Sequence, residues 1–180
     1  ELTRRQVAAG MTLEDMELIL SPQVEDGKEA IGSMGDDTPL AVISDKPRLV
    51  SHFFRQSFSQ VTNPPIDSLR ETRVMSLKTR FGNLANILET GKPQAHVLVL
   101  ESPVLLTRDW ATLQSHFGGA AAEFDCTFPA DGGPDALRAA IARIREQAEN
   151  AVRAGRSELF LTDEKAGPHH VAIAMVLAAA

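Results

Sequence analysis

Apolar positions in this chain come in short bursts separated by polar, Gly- and Pro-containing stretches, and the spacing inside each burst predicts an element. Leu137, Ile141, Ile144, Ala148 and Val152 recur at steps of four, three, four and four, which places them on one face of a helix. Gly132-Gly133-Pro134 opens that helix, because a Pro in the first turn lacks an N–H that would have no intrahelical acceptor anyway, and Gly155 closes it. Near the N-terminus Thr12 is a good cap with Asp15 three residues on. Leu13, Met16 and Leu20 then share one face of a short helix that Ser21-Pro22 is expected to stop. Another helix is expected from Ser44-Asp45, with Pro47 in its first turn and Val50, Phe53, Phe54 and Phe58 directed inward, ending at Pro64-Pro65. Asp67 caps a further helical turn through Glu71, whereas residues 74–77 fit strand and helix equally.

Residues 96–100 (HVLVL) form the clearest strand, and residues 40–43 and 158–162 are brief apolar runs bounded by turn residues. In residues 123–128, Phe124, Cys126 and Phe128 alternate onto one face of a strand, and an apolar helix is expected from about Val171. Strands that are continuous apolar runs, alternating with helices, predict an α/β fold with mainly parallel strands covered on both faces. A length of 180 residues suits one domain, residues 1–180, and no internal repeat or low-complexity linker divides it.

Charge narrows the partners. The 18 Lys and Arg residues against 24 acids give a net charge of -6, and no basic cluster exceeds a pair such as Arg4-Arg5. Nucleic acid, which demands a concentrated basic face, is disfavoured. The longest apolar run, residues 171–180, is too short for a bilayer, and no signal peptide is visible, so a cytoplasmic chain without a membrane partner is expected. Cys126, the single cysteine, excludes an internal disulfide framework and fits a reducing compartment. Glu1 is no initiator Met, and the chain stops inside an apolar run without a cap. Both features read as a fragment cut at its two ends, with an exposed apolar patch and self-association as the expected consequence.

Candidate chemistry is sparse. The loop SMGDDTPLAV, residues 33–42, carries Asp36 and Asp37 and no cation, the reverse of a phosphate cradle. It also precedes its strand, whereas ligands of parallel sheets gather beyond strand C-termini. Two adjacent carboxylates lack the spacing of a hard-cation site, so a structural turn is favoured. Cys126 reads as a small core residue. His169-His170 reads as a polar loop, because adjacent His residues in a strand point to opposite faces. His52 reads as a partly buried helix residue, and His116 has no evident partner. QVTNPPID, residues 60–67, is stiff irregular backbone: the two prolines hold Asn63 and Pro64 out of helix. A rigid connection is favoured there over a contact or site role. No catalytic constellation emerges, and the isolated chain is expected to bind no flavin, metal or nucleotide.

A resemblance goes further than spacing. GMTLEDMELIL, the run from GKEAIGSMGDDTPLAV through QVTNPPIDSLRE, and VMSLKTRFGN resemble the central domain of the large subunit of glutamate synthase, closely over about residues 6–85. From about residue 95 the resemblance is looser, and EKAGPHH departs from the family pattern. The resemblance implies an incomplete βα-barrel-like layout and a connecting domain without a catalytic residue of its own. It further implies that this domain packs between an amidotransferase domain and an FMN-binding domain of the same polypeptide and helps wall the path of ammonia between them. FMN and an iron-sulfur cluster are implied for the full-length enzyme and none for this segment. Ser33, Asp36, Asp37 and Thr38, and Thr62, Asn63, Pro64, Pro65 and Asp67, are the residues expected at the ammonia path or the domain interfaces. Two other classes remain open beside it: an autonomous enzyme using Asp36, Asp37 and Asp67, and a small-molecule-binding α/β domain.

Overall fold

The computed structural model describes residues 1–27, 29–30, 43–45, 50–54, 66–89 and 96–180. Ser33, Asp36, Asp37, Thr38, Thr62, Asn63, Pro64 and Pro65 lie outside the described residues, as do Pro47, Phe58 and most of the strand expected at residues 40–43. The chain divides into two compact units, Glu1–Thr79 with Val99–Val104, and Arg80–Leu98 with Leu105–Ala180. Strands β1 (Thr79–Phe81) and β2 (Leu98–Leu100) pair with each other, and β2 is the heart of the HVLVL run.

The first unit holds α1 (Leu2–Ala8), a π-helical segment Asp15–Leu20, α2 (Ser21–Glu25), a 3-10 turn Val50–Phe53 and α3 (Ser68–Val74). Thr12 and Asp15 form the expected reciprocal cap: Asp15 N–H donates to Thr12 Oγ1 at 3.1 Å, and Thr12 N–H donates to Asp15 Oδ2 at 2.8 Å. The expected stop at Ser21-Pro22 does not occur. Ser21 N–H reaches back to Met16 O, five residues earlier, so the wider π winding shifts the bonding pattern just ahead of the proline. Pro22 then falls in the first turn of α2, where its missing N–H breaks no intrahelical bond.

Two other expectations are corrected here. Ile43 lies in a turn and is 97% exposed, so it is not part of a buried strand; apolar character makes a strand only where a neighbour pairs with it. Val50–Phe53 winds as a single 3-10 turn, and Phe53 and Phe54 face outward rather than inward. Side chains three apart eclipse in 3-10 geometry, so no broad buried stripe forms within residues 50–54. Asp67 caps α3 as expected, and the helix runs past Glu71 to Val74. Beyond it Met75 O accepts from Glu29 N–H at 3.1 Å, which resolves residues 74–77 into a helix end followed by non-helical backbone.

The second unit is where the α/β layout is built. It contains α4 (Thr107–Phe117), β3 (Ala121–Asp125), β4 (Thr127–Pro129), α5 (Gly133–Arg153), β5 (Glu158–Thr162), β6 (His170–Ala172) and α6 (Met175–Ala179). Strands β3 and β5 pair in parallel, with Glu123 opposite Phe160 and Phe124 opposite Leu161. Alternation along each strand sends these pairs to opposite faces. On one face Phe124 and Leu161 pack with Ala140, Ile144 and Ile173 in a cluster that includes α5. On the other, Phe160 meets Trp110 and Phe117 of α4, ring centroids 4.8 and 6.2 Å apart. A parallel pair with a helix on each face is the arrangement that continuous apolar strands call for. Among the described residues the strands close no barrel, in keeping with an incomplete α/β layout.

Cys126 is the hinge of this unit. Its N–H donates to Thr162 O of β5 at 2.8 Å, and its carbonyl accepts from Ile173 N–H, next to β6, at 2.8 Å. One strand run thereby changes partners, from the parallel ladder with β5 to the antiparallel ladder of β4 with β6. The crossing point is fully buried, and a small side chain occupies it. The helix expected from Val171 is corrected by the same ladder: His170–Ala172 is strand, because β4 takes it as a partner, and helix begins only at Met175.

The C-terminus of α5 confirms the expected Gly stop in detail. Gly155 has φ +84, Gly155 N–H donates to Val152 O at 2.9 Å, and Arg156 N–H donates to Ala151 O at 3.0 Å, the paired bonds of a Schellman motif. Gly155→Ala is expected to destabilise the chain by about 1 kcal/mol, since a Cβ is disfavoured in this left-handed conformation. Nothing lies within 4 Å of that Cβ, so the loss read by chemical denaturation comes from backbone conformation and not from a clash.

Candidate functional site

Of the residues expected at a site, Asp67 is the one within the described residues, and its geometry is that of a cap. Its Oδ1 accepts from Leu69 N–H at 3.0 Å and from Arg70 N–H at 2.9 Å, and its other oxygen pairs with the Arg70 guanidinium. The Arg70 side chain, helped by these backbone N–H groups, holds the carboxyl below the usual range. A carboxylate so engaged at the surface has no free oxygen poised to take a proton from a substrate. The reading of Asp67 as a working carboxylate of an autonomous enzyme therefore has no support in its surroundings.

Ligands of parallel sheets gather beyond strand C-termini, and here β3 and β5 end side by side at Asp125 and Thr162. Asp125 Oδ1 accepts from Thr127 Oγ1 at 2.7 Å and from Thr127 N–H at 3.0 Å, and Lys165 Nζ stands 3.2 Å from Oδ2. Burial pushes the Asp125 carboxyl upward, but the Thr127 hydroxyl and Lys165 outweigh it and the group ends below the usual range. Arg143, reaching across from α5, donates to Asp125 O at 2.9 Å and to Thr127 O at 3.1 Å, the carbonyls on either side of Cys126. Asp125, Thr127, Arg143 and Lys165 thus clamp the point where the strand changes partners. Sequence reading did not single them out, although Asp-x-Thr closing an apolar strand is the pattern of a side-chain-to-backbone turn.

Such a clamp positions backbone. Its donors and acceptors are matched to one another, which suits rigidity rather than turnover. Cys126 is inert in the same sense: burial pushes its thiol up, and Sγ lies 3.6 Å from Phe124 O, to which it donates. His169 and His170 are exposed. Among the described residues no three His, Cys, Asp or Glu side chains converge as metal ligands would. No described helix is long and apolar enough to cross a membrane.

Glu158 breaks the pattern of matched groups. It is buried at the start of β5, opposite Ala121, and its Oε1 has no hydrogen-bond partner among the described residues. Burial raises its pKa, with only the Ser157 side chain pulling the other way. A carboxyl raised in the folded state stabilises the fold fully below its ordinary value, 4.5, and that contribution is lost as pH rises through the raised value. Glu158→Gln is therefore expected to change stability little in acid and to increase it at neutral pH, flattening this part of the profile measured by denaturation at a series of pH values. A variant that tracks the parent at every pH would show that ionising Glu158 costs the fold nothing.

The family model for the glutamate synthase central domain matches residues 4–180. The chain belongs to that family. It is similar to the NADPH glutamate synthase large chain of Azospirillum brasilense, with 64% identity over 178 residues, 99% of this chain and 12% of that protein. It is 39% identical over 178 residues to the NADH glutamate synthase of Saccharomyces cerevisiae, 97% of this chain and 8% of that protein. Over 166 residues it is 42% identical to ferredoxin-dependent glutamate synthase 2 of Synechocystis sp., 91% of this chain and 10% of that protein. The chain thus spans about a tenth of the length of these relatives. The central-domain match runs through the back half, where the sequence motifs are looser, and includes the clamp of Asp125, Thr127 and Arg143.

Proposed function

We propose that this chain is a non-catalytic connecting domain of a glutamate synthase, an oxidoreductase that converts glutamine, 2-oxoglutarate and a reductant into two glutamates in the cytoplasm. On this reading it packs between the glutamine amidotransferase domain and the FMN domain of the same polypeptide and helps wall the ammonia path. Ser33, Asp36, Asp37, Thr38, Thr62, Asn63, Pro64, Pro65 and Asp67 face those neighbours. The observation that carries the reading is the family match over residues 4–180, by a chain that covers only 8–12% of its relatives.

The chemistry of the described residues supports it. The polar groups at the strand C-termini are matched among themselves, and Asp67 is engaged as a cap. In the first unit Leu13, Leu18, Ile19 and Val24 along the π segment and its flanks are exposed, as are Phe53 and Phe54. Apolar surface of that kind fits packing against another domain. FMN and the iron-sulfur cluster belong to other domains. A cluster needs several thiolates, and Cys126, the chain's one cysteine, is buried in the core.

The test is the parent polypeptide. Purified at full length, it is expected to show flavin absorbance and to form glutamate from 2-oxoglutarate only when glutamine and a reductant are supplied. A parent polypeptide with neither amidotransferase nor flavin regions would end this reading.

A further inference from the structure

The loop that leaves β1 is built to hold a shape. At its base Gly82, with φ +144, lies so close to the chain before β2 that a Cβ there would come within 3.2 Å of His96 O and Val97 Cγ1. Asn83 Oδ1 accepts from Ala85 N–H at 2.8 Å, and Asn86 Oδ1 accepts from Leu88 N–H at 3.0 Å, two successive side-chain-to-backbone turns. Between them Ala85 adopts φ +52, a left-handed conformation that an alanine takes only when its surroundings impose it. Asn86 Nδ2 also donates to Glu89 Oε1 at 3.0 Å, and Glu89 N–H to Asn86 O at 3.0 Å.

What this stiff backbone presents is apolar. Ile87 is 75% exposed and Leu88 90% exposed, with Leu84 partly exposed beside them. Isolated exposed leucines need no explanation, but two adjacent large apolar side chains on a pinned stretch of backbone do. A preorganised apolar segment loses little conformational freedom on docking, which is how binding anchors are built.

We propose that residues 83–89 form a docking knob that seats Ile87 and Leu88 in an apolar groove of the same polypeptide, in a part of it outside residues 1–180. This rests on the reading of the chain as one domain of a much longer protein. The occupant follows from length: the relatives extend far beyond the 8–12% that this chain covers, and a groove on the same polypeptide meets the knob at a high effective concentration that no separate partner matches.

The experiment uses the full-length protein. Hydroxyl-radical footprinting, read by mass spectrometry on the peptide containing residues 83–89, compares side-chain oxidation in the native and the urea-unfolded protein at several concentrations. Oxidation of Ile87 and Leu88 is expected to be at least several-fold slower in the native protein, independently of dilution. Leu88→Cys in the same protein is expected to resist a maleimide until urea is added. Oxidation at the unfolded rate would overturn the proposal. So would protection that disappears on dilution, since that outcome assigns the groove to a second copy. If the knob is unprotected while the protein still carries flavin and makes glutamate from glutamine, the docking inference falls and the domain reading stands.

Discussion

Ile144→Ala is expected to destabilise the chain by about 2–5 kcal/mol, whereas Val152→Ala, two turns further along the same helix, is expected to be neutral or slightly stabilising. Both residues belong to the stripe that helical spacing predicts. Ile144 is buried against Phe124, Cys126 and Ile173, so truncating it removes apolar contacts and leaves a cavity in a close-packed cluster. Val152 is exposed in the last turn of α5 and lies outside the core cluster, and alanine has the higher helix propensity there. Denaturant midpoints of the two variants measure the difference directly. Equal losses would mean that Val152 is buried, and that the inward face of α5 runs as spacing alone suggests.

That contrast shows what helical spacing conveys. It places Leu137, Ile141, Ile144 and Ala148 on the inward face, and all four pack in the cluster of the second unit. It omits Ala140 and Ala151, which also pack there, because small residues carry little signal in an apolar count although they let a helix approach a sheet closely. The opening and end of α5, strand β5 and the core placement of Cys126 were legible because local chemistry and tertiary packing agree at those points. Helix α4 was legible in principle, with Trp110, Leu113 and Phe117 at steps of three and four. Its cap residue is Leu106 rather than a Ser, Thr, Asp or Asn, which hides its start.

Where the expectations fail, a tertiary partner or a non-α winding decides. Residues 170–172 are strand because β4 needs a neighbour, a fact set by the turn of chain at Cys126 and absent from the local pattern. Pro22 is tolerated because the chain ahead of it is wound as π-helix, which apolar spacing at a period of 3.6 does not reveal. The polar clamp of Asp125, Thr127, Arg143 and Lys165 joins side chains from three separate stretches of sequence, so its parts are recognisable only once β3, α5 and the loop after β5 are folded together. Family resemblance supplied what spacing could not. It rested on the SMGDDTPLAV and QVTNPPID motifs, whose chemistry alone had favoured a turn and a rigid connection.

Asn63→Leu in the full-length protein is expected to uncouple the two half-reactions. If Thr62 and Asn63 wall the ammonia path as proposed, a branched apolar side chain in place of the amide obstructs or misaligns passage. On the proposed reading, glutamine hydrolysis and flavin reduction belong to other domains and continue. Ammonia then escapes to solvent, and fewer than one equivalent of glutamate is made from 2-oxoglutarate for each glutamine hydrolysed. A purely structural Asn63 behaves differently: its loss lowers the yield of folded protein and depresses every partial activity together. The ratio of 2-oxoglutarate aminated to glutamine hydrolysed separates the two roles, because protein that fails to fold reduces both rates and leaves their ratio alone. Asn63→Ala sharpens the comparison, since it removes the amide without adding bulk. Uncoupling by Leu but not by Ala identifies steric blockage of the path, uncoupling by both identifies the amide as a polar wall, and an unchanged ratio in both well-folded variants removes Asn63 from the path.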